Sequence, residues 1–197
     1  MARSYLNLMS TPPVLAAQQR YYARAQQMPP QPSTDPLGED EIAFIGERDS
    51  FYLSTVSPTG WPYVQHRGGE PGFLRVLGPK QLAFADYKGN RQLISTGHVA
   101  ADGRVALFLM DYPQRVRLKI LGHATVLDAR EHPDRVAELA GPQAGRITER
   151  LFLIDVVSFD WNCPKYITPR YTTAEVESAV AGLRSRIREL EVRLAAR

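Results

Sequence analysis

The chain has 197 residues, 44% of them hydrophobic and 23% charged, enough for one ordinary domain with a buried core. Its net charge is +3, but 24 basic residues are interspersed with 21 acidic ones, which leaves no case for a nucleic-acid binder. The single cysteine, Cys163, excludes an intrachain disulfide framework, no run of about 18 apolar residues could cross a bilayer, and no N-terminal stretch has signal-peptide character, so the sequence reads as soluble and cytoplasmic.

Residues 1–36 read as an appendage: a short helix from Pro12 to Gln27, with Thr11 as N-cap and Pro12 and Pro13 in its first turn, then the Pro-rich linker "MPPQPSTDP". A second helix is expected over 38–48, with Ile42, Phe44 and Ile45 as its apolar stripe. From residue 50 the period changes to that of strands. "FYLSTVS" (51–57), the turn Pro58-Thr59-Gly60 and "WPYVQHR" (61–67) predict a hairpin. Further strands follow over 73–78, 80–87, 103–112, 115–128 and 149–161, with short helices at 90–100 and 131–140. About seven strands on mostly short connections favour an antiparallel barrel or sandwich over alternating βαβ units. From Thr173 to the end the pattern is helical, with Leu183, Ile187, Leu190 and Leu194 spaced as a coiled-coil seam of about two heptads. That seam either packs on its own barrel or pairs with a second chain.

The stretch "FADYKGNRQLIST" (84–96) carries the first chemical signal. Lys88, Asn90 and Arg91 surround the flexible Gly89 where a strand gives way to a helix, an arrangement suited to an anion. By itself it also reads as a solvated turn with surface cations. A second cluster, "QHRGGEPGF" (65–73), places His66 and Arg67 at a strand end before two glycines. If neighbouring strands bring Arg67 beside Arg91, the two guanidinium groups would hold a dianionic phosphate. Arg115, Arg117 and Lys119 share one strand face, which could equally face solvent. Trp161, Tyr166 and Tyr171 with Lys165 and Arg170 could line a flat aromatic ligand, or anchor the link to the tail helix. Cys163 has no base beside it, no His, Cys or carboxylate set has metal-ligand spacing, and no hydrolase motif stands out, so no metal and no protein catalytic residue is assigned.

The order "FYLSTVSPTGWPYVQHRGGEPGF…FADYKGNRQLIST…RVALFLMDYPQRVRLKILGHATV" resembles the pyridoxamine 5′-phosphate oxidase-like flavoproteins, over roughly residues 38–165. The likeness is to the oxidase-related branch carrying RGG-x-PGF and D-x-x-GNR, not to the oxidase itself, whose R-x-x-x-L-K and S-R-K patterns and C-terminal substrate segment are absent. The resemblance implies a mainly β chain with flanking helices: a six-stranded antiparallel split barrel of the FMN-binding type over 37–170, the appendage 1–36, and an amphipathic C-terminal helix over 171–197. It implies a homodimer with FMN at the interface, acting as an oxidoreductase on a small molecule, or else a non-catalytic flavin, deazaflavin or haem carrier or sensor. The cofactor residues it implies are Gln65, His66 and Arg67 along the flavin and its phosphate, and Ala85, Asp86, Lys88, Asn90 and Arg91 around the ribityl-phosphate. It also implies Arg115 and Arg117 beside the ring, with Trp161 and Lys165 reaching in from the partner chain.

Overall fold

The computed structural model describes residues 3–26, 35–161 and 164–196. The linker over 28–36 lies mostly outside them, as does Cys163. Apolar alternation sets the sheet. In β1 (Ser50–Val56) Phe51, Leu53 and Thr55 point inward, and in β5 (Arg104–Asp111) Val105, Leu107 and Leu109 do the same. With β2 (Pro62–Gly68), β3 (Arg75–Gly78), β4 (Gln81–Tyr87), β6 (Val116–Asp128) and β7 (Thr148–Trp161) they form a seven-stranded sheet in the order β2-β1-β5-β6-β7-β4-β3. The described pairings are antiparallel. The architecture is the split-barrel type expected, with seven strands in the sheet rather than six, the four residues of β3 forming one edge.

Inside the barrel Phe51 stacks on Phe73 and meets Phe84 edge-on, and Phe84 stacks on Phe152 with ring centroids 4.8 Å apart. A smaller core of Ala83, Ala85, Val136, Leu139 and Leu151 lies on the other face of β4 and β7, under helix α5 (Pro133–Ala144). One strand therefore serves two cores by parity. A bulge helps β7 do so. Leu121 pairs with Ser158 but Gly122 with Val156, so Val157 is the extra residue, and its carbonyl accepts instead from the Asp35 amide at 3.2 Å. Gly122 is needed at that crossing: a Cβ there would lie 2.7 Å from both the Asp155 carbonyl oxygen and an Ile154 methyl.

Two helices precede the sheet that sequence patterning read differently. α1 (Arg3–Met9) is a seven-residue helix inside the expected appendage, and Tyr5 on it sits under the Lys119 ammonium at 4.5 Å, which itself pairs with Asp160 at 2.9 Å. α2 is Pro12–Tyr22, shorter than expected, ending where Ala23 turns left-handed. Helix α3 (Glu39–Gly46) buries Ile45, but Ile42 is 40% exposed and contributes little to the core. Its Glu41 accepts from the Gly38 amide through Oε2 at 2.9 Å and from Trp161 Nε1 through Oε1 at 2.5 Å.

Residues 1–110 and 116–163 form one unit, and 111–115 with 164–197 a second. In the second, the Arg170 guanidinium lies 5.1 Å from the Tyr112 ring centroid. There α6 (Thr173–Ala195) starts with a capping box: Glu175 accepts from the Thr172 amide at 2.7 Å, and the Thr172 hydroxyl accepts from the Glu175 amide at 3.2 Å. Among the described residues no helix is long and apolar enough to cross a membrane, and no three His, Cys, Asp or Glu side chains are placed to hold a metal.

Candidate functional site

The site forms where the end of β2, the end of β4, the start of β7 and helix α4 (Ile94–Ala101) meet. Strand alternation gives β2 two faces: Tyr63, Gln65 and Arg67 are half-buried and line the cleft, whereas Val64 and His66 point the other way. On β4, Asp86 shares parity with Phe84 and comes up beneath Arg67. Arg67 donates to Asp86 Oδ1, and Arg150 Nε donates to Oδ2 at 2.7 Å. Asp86 and Arg150 are directly opposed across β4 and β7, so sheet register alone delivers the second guanidinium.

All three side chains are largely out of water, at 14% exposure for Arg67, 6% for Asp86 and 17% for Arg150. Arg67 lies over the faces of Phe84 and Phe152, at 5.8 and 5.5 Å from the centroids. Burial pushes the Arg67 pKa down from its ordinary value, against the raising pull of Asp86. A guanidinium nonetheless stays charged at any ordinary pH. Arg67 Nε is buried and has no hydrogen-bond partner.

The loop from β4 to α4 closes the opposite wall. Arg91 and Leu93 both adopt left-handed backbone, with φ of 61° and 54°. The Asn90 carboxamide oxygen accepts from the Gln92 amide at 3.1 Å and so fixes the turn as a local side-chain cap. α4 begins after Leu93 with no side-chain cap, and its first residues, Ile94, Ser95 and Thr96, line the cleft. Uncapped first-turn N–H groups carry the positive end of the helix dipole. Two polar contacts anchor α4 to the hairpin: Ser95 Oγ donates to Gln65 Oε1 at 3.1 Å, and Thr55 Oγ1 lies 3.0 Å from His98 Nδ1. The charged lining comprises Arg67, Arg91 and Arg150 against Asp86 alone, a formal surplus of +2.

Of the residues singled out in sequence, the structure brings Gln65, Arg67, Asp86, Asn90 and Arg91 to this cleft. Within the same unit it places five others elsewhere. His66 meets the Tyr52 ring edge-on at 5.6 Å on the outward face of β1 and β2. Ala85 is buried in the smaller core under α5. Lys88 is exposed, its amide donating to the Ile147 carbonyl at 2.7 Å. Arg117 lies over Phe108 at 5.9 Å. Trp161 is committed to Glu41 and packs edge-on against Phe44 at 4.9 Å. Arg115 and Lys165 belong to the second unit. Sequence reasoning missed Arg150, Tyr63 and Ser95, all of which line the cleft.

The comparison with known families bears directly on this geometry. The family model described as pyridoxamine 5′-phosphate oxidase matches residues 37–158, well over half of the chain. The chain belongs to that family. No curated protein matches it. Among solved structures, a candidate pyridoxamine 5′-phosphate oxidase from Lactobacillus delbrueckii is similar at 20% identity and TM-score 0.51, over 64% of this chain and 95% of that one. A conserved hypothetical protein of Mycobacterium tuberculosis is 16% identical with TM-score 0.48, over 74% of this chain and 97% of the other. An FMN-binding protein of Syntrophomonas wolfei is 12% identical with TM-score 0.47, over 61% and 81%. At 20% identity the first of these likenesses is of fold alone. In this member of the pyridoxamine 5′-phosphate oxidase family, the cleft sits on the barrel that the family model covers, since Tyr63 to Arg150 all fall within residues 37–158.

Proposed function

We propose that the cleft holds the phosphate of FMN and that the protein is a flavin-dependent oxidoreductase acting on a small molecule. The observation that carries this is the buried arginine pair on Asp86, which leaves a surplus of positive charge beside the uncapped first turn of α4. That donor set suits a doubly charged ester: Arg67 Nε lacks a partner, Arg91 is exposed at the rim, and Thr96 adds a hydroxyl. Asp86 accepts from both buried guanidinium groups and so fixes their planes; it orients the donors and does not itself meet the anion. When bound, the isoalloxazine ring supplies the electron chemistry, and the chain supplies binding and orientation.

The flavin ring extends beyond this cleft onto a second copy of the chain, in a homodimer. Supporting that reading, the outward face of the hairpin shows Val64 and Tyr52 at 59% and 38% exposure, with Trp61 at 76% beside them. The test is a titration of the purified protein with FMN and with riboflavin, followed by flavin fluorescence. Tight FMN binding with much weaker riboflavin binding supports phosphate capture at the arginines; equal affinities, or none, overturn it.

A carrier or sensor reading has one observation in its favour. Among the cleft-lining residues the single carboxylate is tied to two guanidinium groups, and there is no His or Cys to move a proton. Steady-state turnover of bound flavin with a nicotinamide donor and an acceptor decides for the enzyme; bound flavin without turnover decides for the carrier.

A further inference from the structure

The tail helix carries a longer seam than its leucines alone suggest. Within α6, Val176, Val180, Leu183, Ile187, Leu190 and Leu194 recur at spacings of four and three through the whole helix. Five of them are 43–70% exposed: Val176, Leu183, Ile187, Leu190 and Leu194. A row of large apolar side chains left in water along about 27 Å of helix is costly unless something covers it.

The identity of the residues says what covers it. Written as heptads, Val180, Ile187 and Leu194 fall at a, and Val176, Leu183 and Leu190 at d. In parallel coiled coils, β-branched residues at a, here Val180 and Ile187, with leucine at d, here Leu183 and Leu190, favour two strands. The flanking charges agree. In a parallel pair, Arg186 at g faces Glu191 at e of the partner, twice by symmetry, and Ala179 faces Arg184 without conflict. In an antiparallel pair of full overlap, Arg186 would face Arg186, Arg184 would face Arg184, and Glu177 would face Glu191, all like charges. Within one helix Arg186 and Arg193 both lean on Glu189, at 2.5 and 3.0 Å, which holds the two g-position guanidinium groups alongside the seam.

We propose that α6 pairs with α6 of a second copy of this chain as a parallel two-stranded coiled coil, closing a two-fold dimer. The seam uses no residue of the cleft, so it stands whether or not the cleft takes a flavin. About three heptads are marginal alone, so the pair forms in the full chain, where any second contact between the copies raises its effective concentration.

The test uses the full-length chain with Cys163→Ser, carrying Leu190→Cys at the seam or Ser185→Cys on the opposite face, under mild oxidation. A parallel coiled coil links Leu190→Cys to itself as the main product and leaves Ser185→Cys monomeric on a non-reducing gel. Glu191→Arg slows the Leu190→Cys linkage several-fold, and adding Arg186→Glu restores it. Equal linkage at both positions would mean mere proximity and would overturn the proposal. So would linkage of Leu190→Cys only with a Val180→Cys chain, the antiparallel signature, or no linkage at all.

Discussion

Arg67 and Arg150 bind opposite oxygens of one buried carboxylate, Asp86, although they come from strands at the two ends of the domain sequence. Two like charges this close, and this far from water, depend on the anion between them. Asp86→Asn removes it without changing shape. The expected cost is about 3–5 kcal/mol of folding stability, the range for breaking a buried ion pair by deleting one partner. A urea denaturation curve reads it directly, and a loss below about 0.5 kcal/mol, the scale of an ordinary surface substitution, would mean that the arginines find other anions.

Arg91 separates binding from folding. Its side chain is exposed, and no hydrogen bond or ion pair is described for it. Arg91→Ala should leave the melting temperature nearly unchanged while weakening FMN binding by about 1.5–3 kcal/mol, the range for a hydrogen bond to a charged group. Riboflavin, which has no phosphate, should bind the variant as it binds the parent. If both flavins weaken alike, Arg91 meets the ring or acts through the loop's shape instead.

Two glycines predict opposite responses to the same substitution. Gly122→Ala forces a methyl to within 2.7 Å of the Asp155 carbonyl oxygen and of an Ile154 methyl, at the β6–β7 bulge. It should cost about 1–3 kcal/mol, as overpacking does. Gly97→Ala, in the interior of α4 with nothing within 4 Å of the new methyl, should stabilise by about 0.4–1 kcal/mol through loss of chain entropy when unfolded. Thermal melts of the two variants test the pair; a shift of the same sign in both would contradict this packing.

Asp102 and Asp128 should titrate unusually low. Hydrogen bonds from Arg104 and Arg130 hold their carboxyls at about 2, below the usual 3.8. A depressed folded pKa contributes stability that is present above the unfolded value and lost as pH falls through the folded one, so the window runs from about 4 down to about 2. Both pairs are at the surface, so the effect belongs to the carboxyls rather than to global stability. Carbon-detected NMR should place both midpoints near 2, and Arg104→Gln should return Asp102 toward 3.8 while leaving Asp128 in place.

Much of the fold was legible because strand parity is local. The seven strands and the tail helix lie within a few residues of where alternation and the turn residues put them. The same parity should have split the site list: along β2, Gln65 and Arg67 share a face that His66 cannot, and along β4 Ala85 and Asp86 must diverge. Grouping contiguous residues ignored that rule. Arg150 did leave a trace, as a charge in phase with the inward Phe152 and Ile154, but its meaning depends on the cross-strand position of Asp86, 64 residues earlier. Trp161 is the harder case. Its partner Glu41 is 120 residues away, and nothing near either residue announces the other. The Thr172 to Glu175 capping box is a local signal that the sequence reading left unused: Thr172 stands three residues before Glu175 at the start of the tail helix.

Glu41 joins the first turn of α3 to the last residue of β7, one oxygen on each. The two cut ends of the barrel segment are thus fastened to each other by Glu41, beside the Phe44–Trp161 ring contact. A shortened gene that stops at Phe159, or that begins at Ala43, would lose the same clasp from opposite directions. Trimming either flank should therefore produce one shared defect, the loss of the bond between Trp161 and Glu41.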